Sequence, residues 1–323
     1  MSVTVDPTDP GFPKQLDADD PLQSFPAQFY VADPETCYLD GNSLGRLPLS
    51  TKDSVESFLV NEWGTELVEG WSHWIDEAER AGDLLAEAAL GTGPGQTLVA
   101  DTTSVNLYQL LRAVVDSRPD KSTVIVDSAN FPTDRYIAEG IAQQLGKKLI
   151  TLDVDGAGGP GAVAVDADCE RITPELLEPL LTDDVAVLTL QAVNYRSGAR
   201  PDITAINALA KSKGIPVVWD CAHAVGSIAL NFDEVGIDLA VGCTYKYLNS
   251  GPGSPAWLFV RRELQDQLQV PIQGWFAQAD QFAMGAGFEK VKSIRGFQIA
   301  SPSIVGIRSV QSSLAMVKDA TIE

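Results

Sequence analysis

The residues of this chain with the clearest capacity for chemistry are a lysine and an aspartate, each placed where an apolar run gives out. Lys246 follows Leu239-Ala240-Val241-Gly242-Cys243 and stands at the head of a loop rich in Gly and Pro, Tyr247-Leu248-Asn249-Ser250-Gly251-Pro252-Gly253. Asp220 closes the run Val217-Val218-Trp219, and Cys221-Ala222-His223-Ala224-Val225-Gly226 follows it. Short apolar runs bounded in this way read as buried strands, and open α/β sheets place their ligands at strand ends. Two neighbouring strands would then deliver an amine and a carboxylate to one sheet edge. A lysine held there, partly desolvated, can lose its proton and attack a carbonyl to form a Schiff base. With an acid to face a pyridinium nitrogen, this is the pair that a pyridoxal phosphate site needs. A lone lysine in a turn is an ordinary surface residue. The second strand separates the two readings.

The elements around that pair alternate. Leu98-Val99-Ala100 is a brief strand, and Asp101-Thr102-Thr103-Ser104 leads from it into a helical run over 105–115. Hydroxyl residues at a helix start cap its free amides, and the same amides with the positive end of the dipole form a phosphate site. Thr123-Val124-Ile125-Val126-Asp127 is a buried strand, followed by Ser128-Ala129-Asn130-Phe131-Pro132-Thr133-Asp134-Arg135-Tyr136. Phe131 there either stacks on a planar ligand or tucks under the loop. Residues 185–190 form another buried strand that runs into Gln191-Ala192-Val193-Asn194-Tyr195-Arg196-Ser197-Gly198, and 203–213 read as a helix stopped by Gly214 and Pro216. Residues 257–260 add one more strand. Strands alternating with helices of this length predict an α/β fold, a mainly parallel sheet with helices on both faces.

Upstream, residues 1–34 mix Asp, Pro and aromatics without a period and are expected to form an extended arm. The turn Tyr38-Leu39-Asp40-Gly41-Asn42-Ser43-Leu44-Gly45 offers Asn42, Ser43 and free amides to a ligand. Apolar residues at helical spacing predict helices over 50–69 and 71–90, and His73 within the second reads as structural. The chain of 323 residues is 45% hydrophobic with a net charge of −21. That acidity argues against nucleic-acid and anionic-membrane partners, which call for a basic face. Cys37, Cys169, Cys221 and Cys243 show no paired spacing, which fits a reduced, cytoplasmic protein. With two histidines, His73 and His223, a histidine-built metal site is not expected. The acidic N-terminus does not resemble a signal peptide, and no apolar run reaches membrane-spanning length.

Five stretches taken in order, LDGNSLG at 39–45, NFPTDRY at 130–136, NYRSG at 194–198, WDCAHAVG at 219–226 and TYKYLNSGPG at 244–253, resemble the kynureninase family. The resemblance covers roughly residues 38–310. It implies a fold-type-I, class-V-aminotransferase-like enzyme that cleaves L-kynurenine or its 3-hydroxy derivative to the anthranilate and L-alanine. The cofactor implied is pyridoxal 5'-phosphate, in a homodimer with shared active sites. By position, Lys246 would form the Schiff base and move the Cα proton, Asp220 would pair with the ring nitrogen, and Tyr245 would be a proton donor near the phosphate. Phe131, Pro132, Thr133, Asp134, Gln191 and His223 would surround the cofactor, and Thr103 and Ser104 would hold its phosphate. Trp275 would reach the phosphate across the dimer interface, and Ser43 would touch substrate.

Ser301 stands where the family commonly has Asn or Thr and is expected at a substrate or phosphate contact. The implied domains are an arm and active-site loop over 1–48, a large cofactor domain over 49–295 and, over 296–323, the start of a small C-terminal domain. That domain supplies the family's arginine for the substrate carboxylate, and neither Arg295 nor Arg308 is assigned that role. The expectation is therefore a chain that holds cofactor but binds kynurenine poorly. The nearest alternative is a cysteine desulfurase or class V aminotransferase. Desulfurases usually carry His before the lysine and a nucleophilic Cys on a late loop, whereas Tyr245 precedes Lys246 here and no cysteine follows Cys243. The other alternative is a non-catalytic remnant serving as an interaction module.

Overall fold

The computed structural model describes residues 8–166 and 170–322. Eight strands lie in one sheet: β1 Thr97–Val99, β2 Thr123–Asp127, β3 Lys148–Asp153, β4 Ala162–Ala164, β5 Val185–Gln191, β6 Val217–Asp220, β7 Leu239–Gly242 and β8 Trp257–Val260. Their spatial order is β1-β8-β7-β6-β5-β2-β3-β4. The strands from β4 through β7 are parallel to their neighbours, and β8 is antiparallel to both β7 and β1. The sheet is thus mixed with a parallel centre. Every residue of β2 and β5 is buried, which continuous β-branched and aliphatic runs achieve only when both faces are covered. β2 and β5 are neighbours from which the chain departs in opposite directions, a topological switch point where α/β sheets open a crevice beyond the strands' carboxyl ends.

Among the described residues, seven helices have eight residues or more: α1 Phe12–Asp19, α2 Leu49–Ser57, α3 Glu77–Leu85, α4 Thr103–Asp116, α5 Pro132–Leu145, α6 Ile203–Ser212 and α7 Ile304–Ala320. The cap of α4 is Thr102, extended at φ −118°, whose side chain accepts from the Val105 N–H at 3.3 Å. Thr103 and Ser104 therefore lie inside the first turn. Pro132 opens α5, where a missing N–H costs nothing, and left-handed Gly146 ends it. Ile307, Val310, Leu314 and Val317 of α7 join the same core as the sheet.

Two expectations change. The N-terminal arm is not wholly extended: residues 12–19 form α1 and Phe25–Gln28 a 3-10 turn. α1 buries no residue, so it has no apolar face to read. The helix expected over 50–69 is broken. It passes from α2 into a π-helical stretch, Phe58–Trp63, and ends at Leu67, which adopts φ 53°, ψ −126°. Residues 1–7 of the arm and Cys169 lie outside the described residues.

Candidate active site

The carboxyl ends of the central strands bring the polar residues together. Asp127 ends β2, Gln191 ends β5 and Asp220 ends β6, with Gln191 level with Asp220 in the ladder and Asp220 level with Val241 of β7. The chain leaves β7 at Gly242 and reaches Lys246 one turn later. Lys246 is 8% exposed and Asp220 4%. Lys246 Nζ lies 2.8 Å from His223 Nε2, and 5.6 and 5.8 Å from the ring centres of Phe131 and Tyr245. Its charge acts on both Asp220 and Asp134. Amine and acid thus share one compartment, and among the described residues they form no ion pair with each other.

Three carboxyls are buried around this site, and the charge of Lys246 acts on two of them, Asp134 and Asp220. Burial raises Asp220, against the opposing pull of the Ala222 N–H at 2.8 Å and Lys246. Asp134 is held well above the carboxylate range by burial, then by the charges of Asp220 and Asp127 and its hydrogen bond to Asp220. Asp134 keeps the proton of that pair. Burial pushes Asp127 up to about 7. Asp127 Oδ2 and Asp134 Oδ2 are buried without a hydrogen-bond partner, a costly state that native proteins usually resolve with a ligand or water. His223 is lowered to about 4 by burial and by Lys246, so it faces the amine as a neutral ring. Burial first, then Cys243 and Asp220, push the Tyr245 phenol up to about 12.

Aromatic rings wall the lysine. Phe131, 40% exposed at the start of α5, meets Tyr195 edge-on at 5.4 Å, and both rings approach His223, at 6.5 and 5.9 Å. Phe131 is therefore not tucked under its loop. Tyr195 is held by its loop: Arg196 bridges Asp155 at 2.6 Å and Glu170 at 3.0 Å, while Gln191 Oε1 accepts from the Tyr195 N–H at 3.3 Å. Gln191 also donates to the Ala129 carbonyl at 2.8 Å and to Asp127 at 3.4 Å. Its amide is committed to protein groups, and it organises the site. Pro132 and Thr133 accompany Phe131 and Asp134 in the first turn of α5. The N–H groups of Thr103 and Ser104 have no acceptor among the described residues, which leaves the α4 terminus able to take an anion.

Other expected residues lie elsewhere in this chain. Ser43 is exposed, but its turn is tied to the lysine loop through the Gly45 N–H, which donates to the Tyr245 carbonyl at 2.8 Å. A Cβ at Gly45 would collide with the Lys246 carbonyl. Ser301 borders a cleft of about 560 Å³ lined by Phe58, Trp63, Trp71 and Trp74. Trp275, 43% exposed, packs against Phe276 and Phe282. His73 bonds Glu66 at 2.7 Å, in keeping with a structural role. Two residues escaped sequence reasoning: Asp127 and Tyr195. Asp127 ends its strand as Asp220 does, and that shared pattern was the available signal. Among the described residues no group of His, Cys, Asp and Glu has the arrangement of a metal site, and no helix is long and apolar enough to cross a membrane.

Residues 102–323 match the family model for class-V aminotransferases. The chain is 36% identical to a kynureninase of Pseudomonas fluorescens, over 93% of this chain and 69% of that protein. It is 35% identical to a kynureninase of Deinococcus radiodurans, over 94% and 70%. In fold it is similar to a cysteine desulfurase of Thermococcus onnurineus, at TM-score 0.72 and 17% identity over 95% of this chain and 71% of that one. The cysteine desulfurase CsdA of Escherichia coli gives 0.75 and 19%, over 93% and 72%.

Proposed function

This chain belongs to the kynureninase family within the class-V aminotransferases, and on that premise we propose that it is a pyridoxal 5'-phosphate enzyme. Its reaction is the hydrolytic cleavage of the Cβ–Cγ bond of L-kynurenine, or of the 3-hydroxy derivative, to the anthranilate and L-alanine. The observation that carries the reading is the buried amine of Lys246 set against the Asp134–Asp220 carboxyl pair at adjacent strand ends.

The residues fit the cofactor. Asp220 is a buried carboxyl that accepts from the Ala222 N–H at 2.8 Å and bonds Asp134, and a protonated ring nitrogen is a further donor that a carboxylate can take. Asp220 would hold that nitrogen with Asp134 behind it, Phe131 and His223 would bracket the ring, Lys246 would hold the cofactor through its amine, and the amides of Thr103 and Ser104 would receive the phosphate. When bound, pyridoxal phosphate supplies an electron sink for charge at the substrate's Cα and Cβ.

The chain's own groups do the remaining work. As the free amine, Lys246 Nζ would take the Cα proton, with neutral His223 2.8 Å away able to hold it by a hydrogen bond. Tyr245 keeps its proton through neutral pH, since its pKa is pushed up to about 12 by burial and its neighbours. It is our candidate acid for the carbon left when Cβ–Cγ breaks, a role worth roughly 10²–10⁴-fold. Burial of the lysine and its acids keeps bulk water away and strengthens each charge interaction. We further place this chemistry in a cytoplasmic homodimer with shared sites. Exposed Trp275, Phe282 and Met284 support that assembly by offering an apolar projection for a partner.

Fold likeness to cysteine desulfurases does not favour that reaction here. Burial pushes the Cys221 and Cys243 thiols up, which makes them poor nucleophiles. The test is to load purified protein with pyridoxal phosphate, add L-kynurenine and follow anthranilate fluorescence. In parallel, borohydride reduction should fix the cofactor on the peptide containing Lys246. An adduct on Lys246 without anthranilate from either kynurenine would end the substrate assignment, and no adduct would end the cofactor assignment.

A further inference from the structure

The loop that carries Lys246 is closed on itself by two backbone bonds, Ser250 N–H to the Thr244 carbonyl and Asn249 N–H to the Lys246 carbonyl, each at 3.0 Å. Asn249 takes the left-handed φ of 59° that this closure needs. Neither bond ties the loop to the helical layer behind it. Three buried hydroxyls do. Ser309 Oγ of α7 donates to the Ser250 carbonyl, and Ser313 Oγ donates to the Val310 carbonyl at 3.1 Å. Ser250 Oγ and Ser313 Oγ lie 2.7 Å apart, a hydrogen bond in which either hydroxyl can donate.

Ser250 is 1% exposed, Ser313 0% and Ser309 9%. Water cannot readily replace a bond lost at this depth. The two α7 serines are four residues apart and so share one helix face, among Val310 and Leu314 of the core. Alanine would fill such positions if packing were all they served. We infer that Ser309 and Ser313 are positioning residues for Lys246: α7 grips the lysine loop at two atoms of Ser250, so the helix sets where the amine sits. On the other side, the Gly45 N–H holds the Tyr245 carbonyl at 2.8 Å. The loop is clasped from both sides. This inference rests on the proposed function only in naming Lys246 as the working amine.

The test compares the parent chain with a Ser309→Ala/Ser313→Ala double variant, using hydrogen–deuterium exchange read by mass spectrometry on peptides covering 244–251. Ser312→Ala is the control, because Ser312 bonds Ser50 at 3.0 Å on the exposed side of the same helix. The double variant should exchange the 244–251 amides about tenfold faster, with kcat for kynurenine lowered and KM unchanged. Ser312→Ala should change neither, and Ser309→Thr, which keeps the hydroxyl, should match the parent. Parental protection of 244–251 in the double variant would overturn the proposal, as would equal loosening by Ser312→Ala. Should the double variant fail to fold, Ser309→Ala alone is read by the same criteria. Exchange is measured without substrate, so a chain that cleaves no kynurenine still reports whether the serines hold the loop.

Discussion

Two charged regions of this molecule are built on opposite rules. Where α7 and the segment before it meet α3, each arginine is bonded to two carboxylates. Arg308 lies 2.6 Å from Glu62 and 3.0 Å from Glu77, and Arg295 pairs with Asp76 and Glu79. At the sheet edge, the charge of Lys246 acts on Asp134 and Asp220 while Asp127 feels Arg135, and Asp127 Oδ2 and Asp134 Oδ2 are buried without a partner. The first region is saturated and has nothing left to offer a ligand. The second keeps buried carboxyl oxygens without a partner. The contrast separates arginines that hold helices together from a lysine that is available for chemistry, although all are partly or wholly buried.

Removing the lysine should have the largest effect. Lys246→Ala is expected to lower turnover more than about 10³-fold and to abolish the borohydride adduct, while its urea midpoint at pH 6 stays near the parent's. Residual turnover above a hundredth of the parent's would give the amine's role to another residue.

The acid-rich side also predicts a pH signature. Burial pushes Asp127 from its ordinary 3.8 up to about 7. Between those values the folded state binds more protons than the unfolded state, so this group's stabilising contribution is full below about pH 4 and is lost as pH rises through about 7. Asp127→Asn does not titrate. Its stability relative to the parent should therefore climb between pH 4 and 8, with an upper bound on the order of 4 kcal/mol. A difference that stays flat with pH in chemical denaturation would mean that Asp127 is ionised throughout.

On the saturated side, Arg308→Ala should destabilise by about 3 kcal/mol, because it strands Glu62 and Glu77 in a half-dry setting. Capture of the cofactor on Lys246 should be unchanged in the same variant. Loss of capture would show that the two regions are coupled more tightly than their pairing implies.

Much of this division was legible in the chain. Strand runs ending in Asp220 and just before Lys246 pointed to one edge, because a parallel sheet aligns its carboxyl ends. NFPTDRY placed Phe131 and Asp134 at a helix start, where α5 begins. What could not be read was pairing. Nothing local to Arg308 reveals that Glu62 and Glu77 await it, because that contact joins distant parts of the chain. The break at Leu67 was hidden too, since helical spacing runs straight through it. Tyr195 sat in a quoted motif without a role, because its position depends on Asp155 and Glu170 from two other loops.

The connection between β7 and β8 has one more consequence. These strands are antiparallel neighbours, so the lysine sits in the connection of a hairpin, and the backbone bonds that close its loop use only nearby chain, although α7 and Gly45 must still arrive to fix it. Asp127 at the end of β2 and Asp134 in α5 come from over a hundred residues upstream, across crossovers that close slowly because distant ends must first find each other. During refolding the amine's cradle can be ready well before its counter-charges arrive, so capture of an aldehyde at Lys246 would report the moment the last central strand docks.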